Sequence, residues 1–274
     1  MSTLTVSDVT KHYGDVTALQ DVSFEIADDE FVVLLGQSGA GKSTLLRCLN
    51  GLTQPTSGTI QLDGELVTDS REDIAMIFQQ HNLVDELSAY ANALTGSLNR
   101  TAFLPSALQF NDKADKLEAL DALETVGLLD EAQQTASRMS GGQQQRVGIA
   151  RALVQNPQLM LADEPVASLD PASAERVMGY LKKASNEYGV ATFASLHQVN
   201  IARYFGERFI GLKDGELVFD GPKDELTREV IDDIYGEVET VGMGVPTGKS
   251  LNEESDLDAV MESENELAVS GASR

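Results

Sequence analysis

An α/β fold is predicted by three features of the 274-residue chain. The apolar run Phe31-Val32-Val33-Leu34-Leu35 passes through Gly36-Gln37-Ser38-Gly39-Ala40-Gly41-Lys42-Ser43-Thr44 into Leu45-Leu46-Arg47-Cys48-Leu49, a strand, a glycine loop and a helix in succession. Two later apolar runs, Leu159 to Ala162 and Val190 to Leu196, end abruptly at Asp163-Glu164 and at His197. From Leu83 to about Arg138 no strand pattern is visible, so a helical block is expected inside the strand-bearing chain.

The glycine loop carries the first chemistry. Its glycines let backbone N–H groups turn inward around an anion, and the helix that follows adds partial positive charge. The spacing that ends in Lys42-Ser43 is that of a phosphate-binding P-loop, in the strand-to-helix context such a loop needs. Lys42 supplies a full charge for the β- and γ-phosphates, and the Ser43 hydroxyl is placed to ligate Mg²⁺. A glycine-rich turn that binds nothing is the alternative, and the complete spacing and flanks weigh against it.

Composition narrows the partners. Acidic residues number 44 against 20 basic ones, a net charge of −24. Nucleic acid is therefore an unsuitable partner for the surface as a whole, since phosphate backbones are met by clustered Lys and Arg. An excess of this size is self-repulsive in dilute buffer, whereas molar salt shrinks the Debye length to about 3 Å. A high-salt cytoplasm is one expectation and an acidic surface on an ordinary protein the other. The single cysteine, Cys48, rules out an intrachain disulfide and reads as a small core residue. Neither a secretory leader nor an apolar run of about 18 residues is visible, so a cytosolic chain is expected whose membranous partners are other chains.

Taken in order, Leu4 to Val9 and Val22 to Ile26 alternate as half-buried strands do, with a turn around Lys11 to Asp15 between them. Tyr13 in that turn either packs on the sheet or stacks on a base. After a helix stop at Asn50-Gly51, Thr59 to Leu62 and Glu65 to Val67 flank Asp63-Gly64 as a β-hairpin. Ile74 to Phe78 is a short buried strand ending at Gln79-Gln80. Asp112 to Val126 reads as a helix with Leu117, Leu120, Leu123 and Val126 on one stripe, stopped by Gly127. Thr95 to Phe110 is a loop or a broken helix.

Ser140-Gly141-Gly142-Gln143 then precedes a helical run from Val147 to Val154. Ser140 is a natural N-cap, and two glycines there make a second backbone anion site; an ordinary capped helix is the alternative. Asp163 and Glu164 end a buried strand, where a turn can bring both carboxylates to one site as an Mg²⁺ partner and a residue that orients attacking water; a solvated acidic turn before Pro165 is the plainer reading. His197, just past the next strand, is either structural or a γ-phosphate contact. Phe209 to Lys213 and Glu216 to Phe219 form a last hairpin around Asp214-Gly215. Helical segments at Lys223 to Leu226 and Glu229 to Tyr235 close the domain. The chain thus divides into a domain over residues 1–236, with the helical block at 83–138, and a disordered acidic tail over 237–274 with a transient helix around Leu257 to Met261.

This ordered set resembles the ATP-binding subunits of ABC transporters over nearly everything before the tail. Tyr13 matches the A-loop aromatic, Gly36 to Ser43 the Walker A motif, and Gln79 the Q-loop glutamine that ligates Mg²⁺. Ser140-Gly141-Gly142-Gln143 matches the signature motif, Asp163 and Glu164 the Walker B aspartate and catalytic glutamate, Ser168-Leu169-Asp170 the D-loop, and His197 the switch histidine. Gln37 stands where proline is frequent, and Met139 where leucine is usual; neither change removes a phosphate-contacting group. The resemblance implies a P-loop NTPase fold of ABC type, a RecA-like core with an antiparallel β subdomain and an inserted helical subdomain.

It also implies ATP and Mg²⁺ as ligands, and a homodimer in which Ser140 to Gln143 of one copy close over the P-loop of the other. Transmembrane permease subunits, an extracellular substrate-binding protein acting through them and a peripheral place on the cytoplasmic membrane face follow as further implications. Lys42, Gln79, Glu164 and His197 would carry catalysis, with Ser43, Gln79 and Asp163 on the metal. Within the family, Ile77 to Val84, Leu161 to Pro171 and Ser195 to Val199 are worded most like the phosphonate importers. Importers of phosphate, an amino acid or a metal complex, a soluble ABC-type ATPase acting on DNA or ribosomes, and a regulator without turnover are the rival readings.

Overall fold

The computed structural model describes residues 2–80, 82–99 and 113–236. It opens with β1 (Ser2–Tyr13) and β2 (Val16–Ala27), an antiparallel pair closed by a turn at Gly14-Asp15. Both strands run further than the alternating stretches predict. Register shifts on either side of Val9 interrupt the alternation, and Asp8 and Asp21 take φ of 50° and 49°, as residues at β-bulges do. Side chains take up the ladder groups this releases: the Asp8 N–H donates to Ser23 Oγ at 2.8 Å.

Next come β3 (Phe31–Leu35), α1 (Lys42–Leu49), β4 (Ser57–Leu62) and β5 (Glu65–Leu66). The last two strands turn at Asp63-Gly64, both with positive φ, as the dipeptide predicts. One sheet is four-stranded in the order β2-β1-β4-β5, and all its pairs are antiparallel. The other is built from β3, β6 (Ile74–Ile77), β7 (Leu159–Asp163), β8 (Ala191–Ser195), β9 (Arg208–Lys213) and β10 (Glu216–Pro222), in the order β10-β9-β3-β8-β7-β6. Its pairs are parallel except the β9–β10 hairpin. Every residue of β3 and β8 is buried, which explains why these strands read as apolar runs without alternation.

The core fills the space between the sheets. Leu45, Leu46, Cys48 and Leu49 of α1 share one cluster with Leu4, Val6, Phe24 and Ile60 of the first sheet and Leu161 and Phe193 of the second. The Phe24 and Phe193 ring centroids lie 5.5 Å apart. Because β3, β7 and β8 are parallel neighbours, their C-terminal ends open on one edge, where α/β sheets place ligands.

The remaining helices are α2 (Ala89–Leu94), α3 (Lys113–Thr125), α4 (Gly141–Val154), α5 (Pro171–Tyr188), α6 (Val199–Phe205) and α7 (Arg228–Tyr235). α2 and α3 pack on α4, which also packs on α5 and β6. Among the described residues of 83–138 there is no strand; a single bridge pairs Ser88 with Thr135. Thr95–Asn99 is a 3₁₀ turn, and the rest of the expected loop or broken helix lies outside the described residues.

Two expectations are corrected and one is extended. Leu117 is half exposed, whereas Leu123 and Val126 are buried as expected, joined by Ala119 and Ala122. Steps of three residues fall about 60° short of a turn each, so Leu117 and Val126 lie on opposite sides of the helix axis. The helical run read from Val147 to Val154 is the C-terminal half of a helix that starts at Gly141, directly after the expected Ser140 cap. Lys223 to Leu226 is a turn, with Glu225 N–H donating to Pro222 O, and α7 starts only after Thr227 accepts from the Val230 N–H at 3.3 Å. The expected tail at 237–274 lies outside the described residues, and no described helix is long and apolar enough to cross a membrane.

Candidate active site

The glycine loop leaves β3 and enters α1 through Gly41, the N-cap, at φ 103°. A Cβ there would lie 2.5 Å from the Ala18 carbonyl, so only glycine lets the loop pass this close to β2. Gln37, Ser38 and Gly39 stay exposed at the loop tip, Gly36 and Ala40 are buried, and Gly41, Ser43 and Thr44 are half-buried. Lys42 is 4% exposed, and its Nζ donates to Gly36 O at 2.8 Å and to Gln37 O at 3.0 Å. Burial lowers its pKa from the usual lysine value, while the charges of Glu164 and Asp163 act in the opposite direction.

The carboxylates come from the end of β7. Asp163 pairs in register with Ser195 of β8, and its Oδ1 accepts from Ser43 Oγ and from Ser195 Oγ, both at 3.1 Å. Glu164 leaves the ladder at φ 48°, a left-handed turn that lets both neighbouring carboxylates face the loop. Its backbone N–H donates to Ser195 Oγ at 2.9 Å. The His197 Nε2 hydrogen-bonds Glu164 Oε1. Lys42 Nζ lies 3.5 Å from His197 Nδ1 and 3.4 Å from Nε2, so the ammonium sits against the imidazole ring. Lys42, Ser43, Asp163, Glu164, Ser195 and His197 therefore form one clustered set at the sheet edge.

The other candidates stand apart from that set. Tyr13 is half exposed at the end of β1, with Lys11 Nζ 5.0 Å from its ring centroid. Gln79 follows β6 and is exposed, and no described hydrogen bond joins it to Ser43 or Asp163. Ser140 and Gln143 close a capping box on α4: Gln143 N–H donates to Ser140 Oγ at 3.3 Å, and Ser140 N–H to Gln143 Oε1 at 2.9 Å. No described hydrogen bond links them to the glycine loop of the same chain. A Cβ at Gly142 would meet only ordinary contacts, the nearest 3.7 Å away, so packing within this chain does not demand glycine there. Asp170 caps α5 by accepting from the Ser173 N–H at 3.1 Å, with Pro171 in the first helical turn.

Two residues at the site were given no role from the sequence. Ser195 is a serine inside an apolar strand, marked in the sequence only as a member of the stretches Val190 to Leu196 and Ser195 to Val199, with no role of its own. Tyr235 ends α7, where its carbonyl accepts from Gln37 Nε2; the phenol is pushed up to about 12 by burial, with the Gly36 backbone acting against this.

The chain is similar to several known proteins. The family model described as ABC transporter matches residues 19–167. A phosphonates import ATP-binding protein of Halobacterium salinarum is 65% identical, the match covering 92% of this chain and 89% of that protein. Another so named, from Haloquadratum walsbyi, is 68% identical, covering 89% of this chain and 86% of that protein. Among solved structures, a dimeric ATP-binding cassette in a post-hydrolysis state bound to ADP and Pi superposes with a TM-score of 0.68 at 36% identity, over 80% of this chain and 98% of that one. A component of an ABC transporter complex from Clostridium perfringens gives 0.74 at 27% identity, over 85% and 94%. A P-loop on β3, paired carboxylates on the parallel neighbour β7 and these likenesses lead to one assignment: the chain belongs to the ABC transporter family, as one of its ATP-binding subunits.

Proposed function

We propose that this chain hydrolyses ATP to drive an importer of phosphonates. The observation that carries the hydrolytic reading is the cluster in which Ser43 bonds Asp163, Ser195 bridges Asp163 to the Glu164 N–H, Glu164 bonds His197, and Lys42 Nζ lies against the His197 ring. The substrate rests on the two relatives named for phosphonates import.

In this reading Tyr13 stacks on the adenine, the amides of Gly36 to Thr44 wrap the phosphates, and Lys42 exchanges its carbonyl contacts for phosphate oxygens. Ser43 Oγ and Asp163 Oδ1, 3.1 Å apart, are an oxygen pair that fits Mg²⁺, a hard cation that completes its shell with water and phosphate oxygens. Gln79 would add a carbonyl oxygen. When bound, Mg²⁺ supplies charge neutralisation at the β- and γ-phosphates. Glu164 orients and deprotonates water, and His197 holds the Glu164 carboxylate and steadies the transferred group.

Half of the site comes from elsewhere. Ser140, Gly141, Gly142 and Gln143 close over the P-loop of a second copy, which gives the sterically undemanded Gly142 a reason to be glycine. The domain at 1–236 then works as a homodimer against transmembrane permease subunits on the cytoplasmic membrane face. Its helical stretch at 83–138 receives their coupling helix, and an extracellular binding protein delivers the substrate.

The test is Glu164→Gln. ATP binding is expected to persist while turnover falls by about 10²-fold or more, the range for loss of a general base; near-normal hydrolysis would remove Glu164 from its role. For the substrate, phosphonate added to the reconstituted transporter should stimulate hydrolysis. Stimulation by another solute and not by phosphonates would overturn that half.

A further inference from the structure

We infer that Ser195 is a positioning residue for hydrolysis, through which β8 holds the acidic end of β7 in its working geometry. The inference rests on the reading of Glu164 and Asp163 given above and adds a residue to it.

Ser195 is fully buried, and its backbone is held on both sides. It pairs with Leu34 of β3 on one side and Asp163 of β7 on the other, and the Leu196 N–H donates to Leu34 O at 3.0 Å. The hydroxyl therefore starts from the middle of three parallel strands, one of which leads into the P-loop. It uses both of its capacities: the O–H donates to Asp163 Oδ1 at 3.1 Å, and a lone pair accepts from the Glu164 N–H at 2.9 Å.

Each bond fixes a different thing. The first orients Asp163 Oδ1, the oxygen that also accepts from Ser43 Oγ. The second satisfies the Glu164 amide at the point where the chain turns out of the ladder at φ 48°, a conformation uncommon for residues other than glycine. That turn sends the Glu164 side chain to His197. An aliphatic residue at 195 would fill the strand equally well but leave the Glu164 amide without its acceptor and Asp163 Oδ1 with one donor fewer.

Ser195 touches neither phosphate nor water in this scheme, so its removal affects turnover and spares nucleotide binding. In Ser195→Ala, kcat is expected to fall about tenfold or more, since small displacements of reacting groups cost up to about 10²-fold. KM for ATP should stay within about twofold. Ser195→Thr keeps the hydroxyl and a strand-compatible shape, and recovers most of the rate. Independent of any turnover, amide hydrogen exchange on the full chain should show the Glu164 N–H exchanging about tenfold faster in Ser195→Ala, with amides inside β7 unchanged.

A Ser195→Ala protein with parental kcat, a loss expressed only in KM, or an unaltered Glu164 exchange rate would each overturn the inference. So would a Thr variant no better than Ala. Glu164→Gln measured in parallel separates this from the reading beneath it. Unaltered turnover in Glu164→Gln overturns the assignment of Glu164, whereas an inert Glu164→Gln beside a fully active Ser195→Ala overturns only the role of Ser195.

Discussion

Gly41→Ala should be far more damaging to folding than its neighbour Gly39→Ala, although both glycines lie in the same loop with positive φ, 103° and 87°. An L side chain in the left-handed region costs roughly 1–2 kcal/mol at either position. At Gly39 nothing lies within 4 Å of the added Cβ, so that is the whole penalty. At Gly41 the Cβ would stand 2.5 Å from the Ala18 carbonyl, 3.1 Å from Leu19 Cδ2 and 3.3 Å from Leu212 Cδ2. Relief requires β2 or the loop to move, an overpacking cost of roughly 1–3 kcal/mol on top, about 2–5 kcal/mol in all. Urea unfolding of the full-length variants measures the difference, as does the melting temperature, at about 2–4 °C per kcal/mol for a domain of this size. Equal midpoints for the two variants would refute the reasoning, because they would show that the approach of Ala18 does not constrain the loop.

Ser140→Ala removes the side-chain half of the capping box on α4 and is expected to cost about 1 kcal/mol of stability, with Ser140→Thr close to the parent; no change in the urea midpoint would deny the cap its role. Cys48 is buried, and its thiol is pushed up to about 11 by burial, with Lys11 acting the other way. At pH 8 only about 10⁻³ of it is thiolate, so disulfide reagents should label it on unfolding and not before; rapid labelling of the native chain would contradict this. With 44 acidic against 20 basic residues, the melting temperature should climb from dilute buffer to molar KCl, and a flat salt profile would count against a high-salt setting.

What was legible in the sequence was local. The apolar run of β3, the glycine spacing before Lys42, the Asp63-Gly64 hairpin and the Ser140 cap each depend on a few adjacent residues, and each is where it was expected. The less legible elements are those where a neighbour overrides a local pattern. β1 and β2 continue through bulges because side chains such as Ser23 replace lost ladder bonds. On α3 the packed face follows Ala119, Ala122 and Leu123, since helix–helix contact accepts small residues and leaves Leu117 outside.

By itself, the sequence determined that this chain carries a glycine loop ending in Lys42-Ser43, two carboxylates and a histidine at strand ends, and hence the family to which it belongs. Only the tertiary structure decided how they meet. Ser43 and Asp163 are 120 residues apart, and Asp163 and Ser195 are 32 apart, distances over which no residue pattern records a partner. Parallel register supplies that information, by setting Leu34, Ser195 and Asp163 side by side. A buried hydroxyl in an apolar strand thereby gains two partners that its own neighbourhood in the chain does not announce.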